Sequence, residues 1–145
     1  MPDEPDVHEV AAAIQVSVGL LKRRLQQAQV PGDLSASEIS ALARLDRGGP
    51  TTPSALAKLE RITPQSMGAT LAGLERRELV TRRPDPDDGR HVVLSVTDLG
   101  LQLLRSRRSA RAEQLAAALS VGFSSTELAT LRSAAPLIER LAQNL

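Results

Sequence analysis

Apolar side chains in this chain recur mostly at steps of three and four, the spacing that gathers them on one side of an α-helix. Val10, Ile14, Val18, Leu21 and Leu25 form the first such stripe. An amphipathic helix is therefore expected from Val7 to a stop before Pro31-Gly32, with a frayed lead of six residues. Leu34-Ser35-Ala36-Ser37-Glu38-Ile39 reads as a helix start. Ser35 can accept from the amide of Glu38, the Glu38 carboxylate can return a bond, and Leu34 can pack on Ile39. That helix runs to about Arg47 and stops at Gly48-Gly49-Pro50. Thr52-Pro53 opens a short helix to about Glu60, and Thr63-Pro64, 11 residues after the first Thr-Pro, opens another. In this later helix Met67, Leu71 and Leu74 share one face, while Gln65, Ser66, Ala69 and Thr70 fall largely on another. Ala55, Ala57 and Gly68 are small enough to let the two helices cross closely, as a helix-turn-helix requires.

Beyond Arg77 the period shortens to two. Residues 79–83 and 91–96 are strand-like and rich in β-branched side chains, and the polar run Pro84-Asp85-Pro86-Asp87-Asp88-Gly89-Arg90 joins them into a hairpin with an exposed tip. Thr97-Asp98 then caps a long helix carrying Leu101, Leu104, Leu115 and Leu119. Phe123-Ser124-Ser125-Thr126-Glu127-Leu128 repeats the earlier start signature, and a last helix follows through Leu131, Ile138 and Leu141 to Leu145. Pro136 lies inside it and should bend it near Arg132.

Composition narrows what these elements can do. The chain has 145 residues, 41% hydrophobic and 24% charged, which makes one domain, or one domain with an appended helical part. Phe123 is the single aromatic residue, so stacking platforms for single-stranded nucleic acid are excluded. There is no cysteine, which removes disulfides, thiolate metal sites, cysteine nucleophiles and thiol redox sensing. No apolar run approaches the roughly 20 residues of a membrane-spanning helix, and the acidic start is unlike a secretory signal, so a cytoplasmic protein without membrane partners is expected. The net charge of +1 hides an asymmetry: residues 44–111 hold 13 basic and 8 acidic side chains, and the remainder 5 and 9. A basic middle between acidic ends is the distribution expected when one part faces a polyanion.

An enzyme is not expected. His8 and His91 lie more than 80 residues apart in sequence, neither in a metal or triad pattern, and Gly48-Gly49-Pro50 lacks the Lys and Ser or Thr of a phosphate loop. No catalytic residue, metal ligand or cofactor is assigned. The order of elements, with a helix-turn-helix followed at once by a hairpin, is that of a winged helix, whose second short helix enters a major groove while the hairpin tip reaches the adjacent backbone or minor groove. On that helix Gln65, Ser66 and Thr70 are the candidate DNA contacts, since Gln pairs adenine bidentately and hydroxyls bond bases or phosphates. Thr52 and Ser54 can bond a phosphate at the preceding helix start. Arg82, Arg83 and Arg90 are the hairpin candidates, with Asp88 placed to orient an arginine. The cluster of Arg105, Arg107, Arg108 and Arg111 reads first as a solvated or ion-paired helix face.

The run Leu71-Ala72-Gly73-Leu74-Glu75-Arg76-Arg77-Glu78-Leu79-Val80-Thr81-Arg82, then Asp85-Pro86-Asp87-Asp88-Gly89-Arg90 and Leu94-Ser95-Val96-Thr97-Asp98-Leu99-Gly100, resembles the MarR-type transcriptional regulators. The resemblance covers nearly the whole chain. It implies a homodimer with interlocked first and last helices, two winged domains on a palindromic operator, and repression relieved by a small ligand. The sequence departs from the family pattern at Glu78, where the family usually has Gly, and at Asp87, which replaces the first arginine of an Asp-x-Arg-Asp-x-Arg wing; Asp85, Asp88 and Arg90 match. The expected fold is mainly α with a small β-hairpin: an N-terminal dimerisation helix (1–33), a winged helix-turn-helix (34–100) and C-terminal dimerisation helices (101–145). The expected function is sequence-specific binding of double-stranded DNA by a homodimeric regulator, a repressor by resemblance, with an effector of unknown identity and no cofactor. The alternative is a winged-helix protein-interaction module that never reads DNA.

Overall fold

The computed structural model describes residues 4–28 and 33–145. Its elements follow the order α1 (Val7–Gln27), α2 (Ala36–Gly48), α3 (Pro53–Glu60), α4 (Pro64–Arg76), β1 (Val80–Pro84), β2 (Val92–Val96), α5 (Asp98–Leu119) and α6 (Ser125–Gln143). The chain divides into two compact units, one ending at Leu101 and one starting at Gln102.

In the first unit α1 opens on Asp6, whose carboxylate accepts from the amide of His8 at 3.1 Å. Part of the expected frayed lead is thus a helix cap. The Pro31-Gly32 stop lies outside the described residues, and α1 ends at Gln27. α2 has the expected reciprocal cap, with the Glu38 amide donating to Ser35 Oγ at 3.2 Å and the Ser35 amide donating to Glu38 Oε1 at 3.0 Å. It stops at Gly49, whose φ of 76° a side chain would resist. Thr52 and Thr63 cap α3 and α4 through their hydroxyls, each followed by proline in the first turn.

The core of this unit is aliphatic. Leu34, Leu42, Leu45, Leu56, Met67, Leu71, Leu74 and Leu94 are its largest fully enclosed side chains, drawn from the loop before α2, from α2, α3 and α4, and from β2. Each such burial stabilises by about 1.5–3 kcal/mol, which is how a unit without aromatic filling holds together. The hairpin is antiparallel, in register from Val80 against Val96 to Pro84 against Val92. Leu94 also bridges Thr51 ahead of α3, its amide donating to Thr51 O at 2.7 Å and its carbonyl accepting from the Thr51 amide at 3.2 Å. That bridge ties the start of the helix-turn-helix to the hairpin.

Gly68 is not at the helix crossing where the small-residue reading put it. It is exposed, and an added Cβ there would meet nothing within 4 Å, because the position lies beyond the buried Met67 toward the solvent side of α4. Of the three small residues only Ala57 is buried, beside Leu56 on α3, the helix that packs on α4.

The second unit holds most of α5 and all of α6. A second reciprocal cap opens α6, between Ser124 and Glu127 at 3.1 and 2.8 Å, and the helix runs unbroken through Pro136. No residue of α1 or α6 is buried. Val10, Val18 and Leu21 of α1, and Leu128, Leu131, Ile138 and Leu141 of α6, are exposed apolar side chains.

Candidate nucleic-acid interface

The turn between α3 and α4 closes on Arg61, left-handed at φ 54°. Its amide donates to Lys58 O at 3.2 Å and the next amide, of Ile62, donates to Ala57 O at 3.1 Å, which satisfies the last carbonyls of α3. Across this turn Ser40 Oγ donates to Glu60 Oε2 at 2.7 Å and Arg44 Nε donates to Glu60 Oε1 at 3.1 Å. Burial pushes the Glu60 carboxyl up, but the hydrogen bonds from Ser40 and Arg44, with the charges of Arg44 and Arg47, outweigh it and hold the group below its ordinary range. This clamp fixes α2 against the end of α3.

α4 is held at both ends. At its start Thr63 Oγ1 accepts from the Ser66 amide at 3.1 Å and donates to Ser66 Oγ at 2.9 Å. At its end Glu78 takes φ 60°, its amide donating to Glu75 O at 2.9 Å and the Leu79 amide donating to Leu74 O at 3.0 Å. The left-handed turn that favours glycine is therefore made by glutamate, because the two amides and the buried Leu74 and Leu79 over-determine it. Thr97 Oγ1 donates to the Glu78 carbonyl at 2.7 Å and accepts from the Gly100 amide at 3.0 Å. Thr97 thus joins the end of α4, the exit of β2 and the start of α5. Between its fixed ends α4 turns Met67, Leu71 and Leu74 inward and leaves Gln65 and Ser66 exposed, with Thr70 half-buried at the edge.

The other sequence candidates are dispersed around this helix. Thr52 Oγ1 accepts from the Ala55 amide at 3.2 Å and lies 3.4 Å from Ser54 Oγ, so its capping role is occupied while Ser54 faces solvent. Arg82 forms an ion pair with Glu75 of α4, which couples the base of the hairpin to the helix and offsets the arginine's charge. Arg83, its neighbour on the opposite face of the strand, is exposed. At the tip Asp85 Oδ1 accepts from the Asp87 amide at 2.9 Å, and Asp88 Oδ1 accepts from the Arg90 amide at 3.1 Å and from Arg90 Nε at 3.2 Å. Two aspartates therefore shape the turn through their own backbone. Asp88 Oδ2 also lies 3.5 Å from His91 Nε2, and the Arg90 side chain projects with 90% of its surface exposed.

Thr97 caps α5 as expected, but its bond to the Glu78 carbonyl, the pairing of Glu75 with Arg82 and the Ser40–Glu60–Arg44 clamp escaped the sequence reading. Their partners lie on other elements at separations that no helix or strand period marks. Among the described residues no group of His, Asp and Glu could hold a metal ion, and no helix is long and apolar enough to cross a membrane.

A family model described as MarR family matches residues 34–92, the stretch from Leu34 to the start of β2. An uncharacterised HTH-type transcriptional regulator of Mycobacterium bovis is 39% identical over 129 residues, covering 89% of this chain and 90% of that protein. The chain belongs to the MarR family. This is a family of helix-turn-helix transcriptional regulators, and the winged helix read from the element order is its fold. A Pseudomonas aeruginosa protein described as a transcriptional regulator is 33% identical with a TM-score of 0.79, over 93% of this chain and 95% of its own. Streptococcus pneumoniae FabT, solved in complex with DNA, shares the fold of this MarR-family chain at 20% identity and a TM-score of 0.59, over 95% of this chain and 96% of its own.

Proposed function

We propose that this MarR-family regulator binds an inverted-repeat operator as a homodimer, inserts α4 into the major groove and lays the β1–β2 wing beside it. The observation that carries the reading is α4 itself. Its exposed face is polar and small, it is fixed at both ends by hydrogen bonds, and the wing follows at once with Arg90 braced outward by Asp88. Gln65, Ser66 and Thr70 contact base edges, Thr52 and Ser54 a phosphate, and Arg83 and Arg90 the backbone or minor groove. Arg82 serves mainly to hold the wing against α4 through Glu75. The exposed apolar stripes of α1 and α6 pair with those of a second copy. The FabT–DNA complex, of the same fold, agrees with DNA as the partner.

Repression is the mode this arrangement suits, since a dimer seated on a promoter excludes other proteins. Release would follow from a small ligand that favours a spacing of the two wings misfitting the operator. Thiol chemistry is closed to this chain, which has no cysteine.

The test is selection of bound sites from a pool of random duplexes. Enrichment of an inverted repeat whose half-site centres lie about one helical turn, 10 to 10.5 base pairs, apart is expected. A pool that yields no preferred sequence after repeated rounds contradicts the proposal and favours the protein-interaction module.

A further inference from the structure

Between Gln65 and Arg76 the exposed positions of α4 carry only small side chains. Gln65, Ala69, Ala72 and Arg76 follow one another at i, i+4, i+7 and i+11, the spacing of a single helix face, and all are exposed. Gly68, beside this stripe, is exposed as well and has open space where a side chain would be. From Pro64 to Leu74 the helix carries no charged side chain, and the first one, Glu75, is held by Arg82.

Two consequences follow from the chemistry of base edges. Methyl groups and a glycine let the helix backbone approach the floor of a groove closely. The commonest specific contact, arginine bidentate on guanine, has no residue to make it over the length of α4 that precedes Glu75. What remains is a carboxamide, which matches N6 and N7 of adenine, the hydroxyls of Ser66 and Thr70, which discriminate little between bases, and methyl groups, whose apolar partner on a major-groove edge is the 5-methyl of thymine. Gln65 and Ala69 are one turn apart, about 6 Å along the helix axis, so they reach bases within about two pairs of each other.

We infer that the operator half-site is read as A·T pairs, with Gln65 on an adenine and Ala69, followed by Ala72, on the 5-methyl groups of thymines. This rests on the proposed docking of α4 in the major groove and adds to it the bases that are read. The wing points the same way. The arginine at the wing tip, Arg90, held by Asp88, suits the narrow and electronegative minor groove of A·T-rich DNA.

The experiment is equilibrium titration of the full chain on the duplex obtained by selection, with single thymines replaced by deoxyuridine, which removes the methyl group alone. In each half-site at least one replacement should weaken binding about fourfold, the affinity equivalent of roughly 0.8 kcal/mol per buried CH₂. An Ala69→Gly variant, its helix content checked by circular dichroism, should lose that sensitivity at the same position. Replacing a neighbouring adenine by 7-deazaadenine should weaken the wild-type protein and leave Gln65→Ala unaffected. Unchanged affinity after every thymine has been replaced, or selected half-sites made of G·C pairs, would overturn the assignment of bases while the docking of α4 stands. Failure to bind any duplex would instead overturn the docking, and this inference with it. The base replacements use the unaltered protein, so the outcome does not depend on a variant folding.

Discussion

Glu78 shows how much a single backbone position can be forced by its surroundings. A non-glycine residue at φ 60° costs about 1–2 kcal/mol relative to the right-handed region. Here the conformation is retained because it closes α4, buries Leu79 and presents its carbonyl to Thr97. Glu78→Gly should therefore raise stability by about 1 kcal/mol, since glycine enters this region without the Cβ penalty but has more unfolded freedom to lose. A urea titration that shows the variant less stable than wild type would contradict this account of the turn. Gly100 presents the opposite case. A Cβ there would stand 2.5 Å from the Leu79 carbonyl oxygen and 2.8 Å from a methyl of Val96, both of which belong to the same junction. Gly100→Ala should cost about 1–3 kcal/mol through overcrowding, read as a lower urea midpoint with an unchanged slope. A midpoint equal to that of wild type would mean that the start of α5 does not sit tightly on this turn.

Helix starts were legible in the sequence because their chemistry is local. Ser35 with Glu38, Thr52-Pro53, Thr63-Pro64 and Ser124 with Glu127 each place a hydroxyl a fixed few residues from the amide it caps, and all four occur as caps. The hairpin was legible from the change of period. Contacts between elements were not. Arg61 and Glu78 turn left-handed without the glycine that would have marked them. Thr51 pairs with Leu94 as a single bridge with no periodicity to betray it, and the face of Gly68 depends on where α4 meets α3. Of the proposed DNA contacts, residue types and their helix face could be read in advance, whereas the engagement of Arg82 by Glu75 could not. The Ser40–Glu60–Arg44 clamp adds a pH dependence of its own. The Glu60 carboxyl titrates below its ordinary value near 4.5 in the folded chain, so its contribution is fully present above the unfolded value and is lost as pH falls through the lowered one. Glu60→Gln should be less stable than wild type by about 1–2 kcal/mol at neutral pH, with the gap narrowing below about pH 4.5. A gap that stays constant down to pH 3 would show that the clamp does not depend on the charge.

Two long helices with no buried residue, one near each end of the chain, carry exposed large apolar side chains, the kind of surface that marks an interaction site. A second copy is the covering the proposal assigns to them. Leu141→Asp, which puts a charge on the apolar stripe of α6, should shift the protein toward monomer in sedimentation at micromolar concentration and lower DNA affinity together with it. Wild-type protein that sediments as a folded monomer would rule this assembly out. Of the five excess positive charges in residues 44–111, four are Arg105, Arg107, Arg108 and Arg111 of α5, while residues 44–101 hold nine basic and eight acidic side chains. Whether the wing and the α4 face meet DNA is the central claim, and titration of specific and scrambled duplexes at several salt concentrations tests it most directly. Gln65→Ala should lose about 1–3 kcal/mol on the specific duplex and almost nothing on the scrambled one, with the salt slope unchanged. Arg90→Ala should weaken both duplexes and flatten the slope by about 1 per wing. Identical affinities and slopes for wild type and both variants would contradict the account, because neither the helix face nor the wing would then touch DNA.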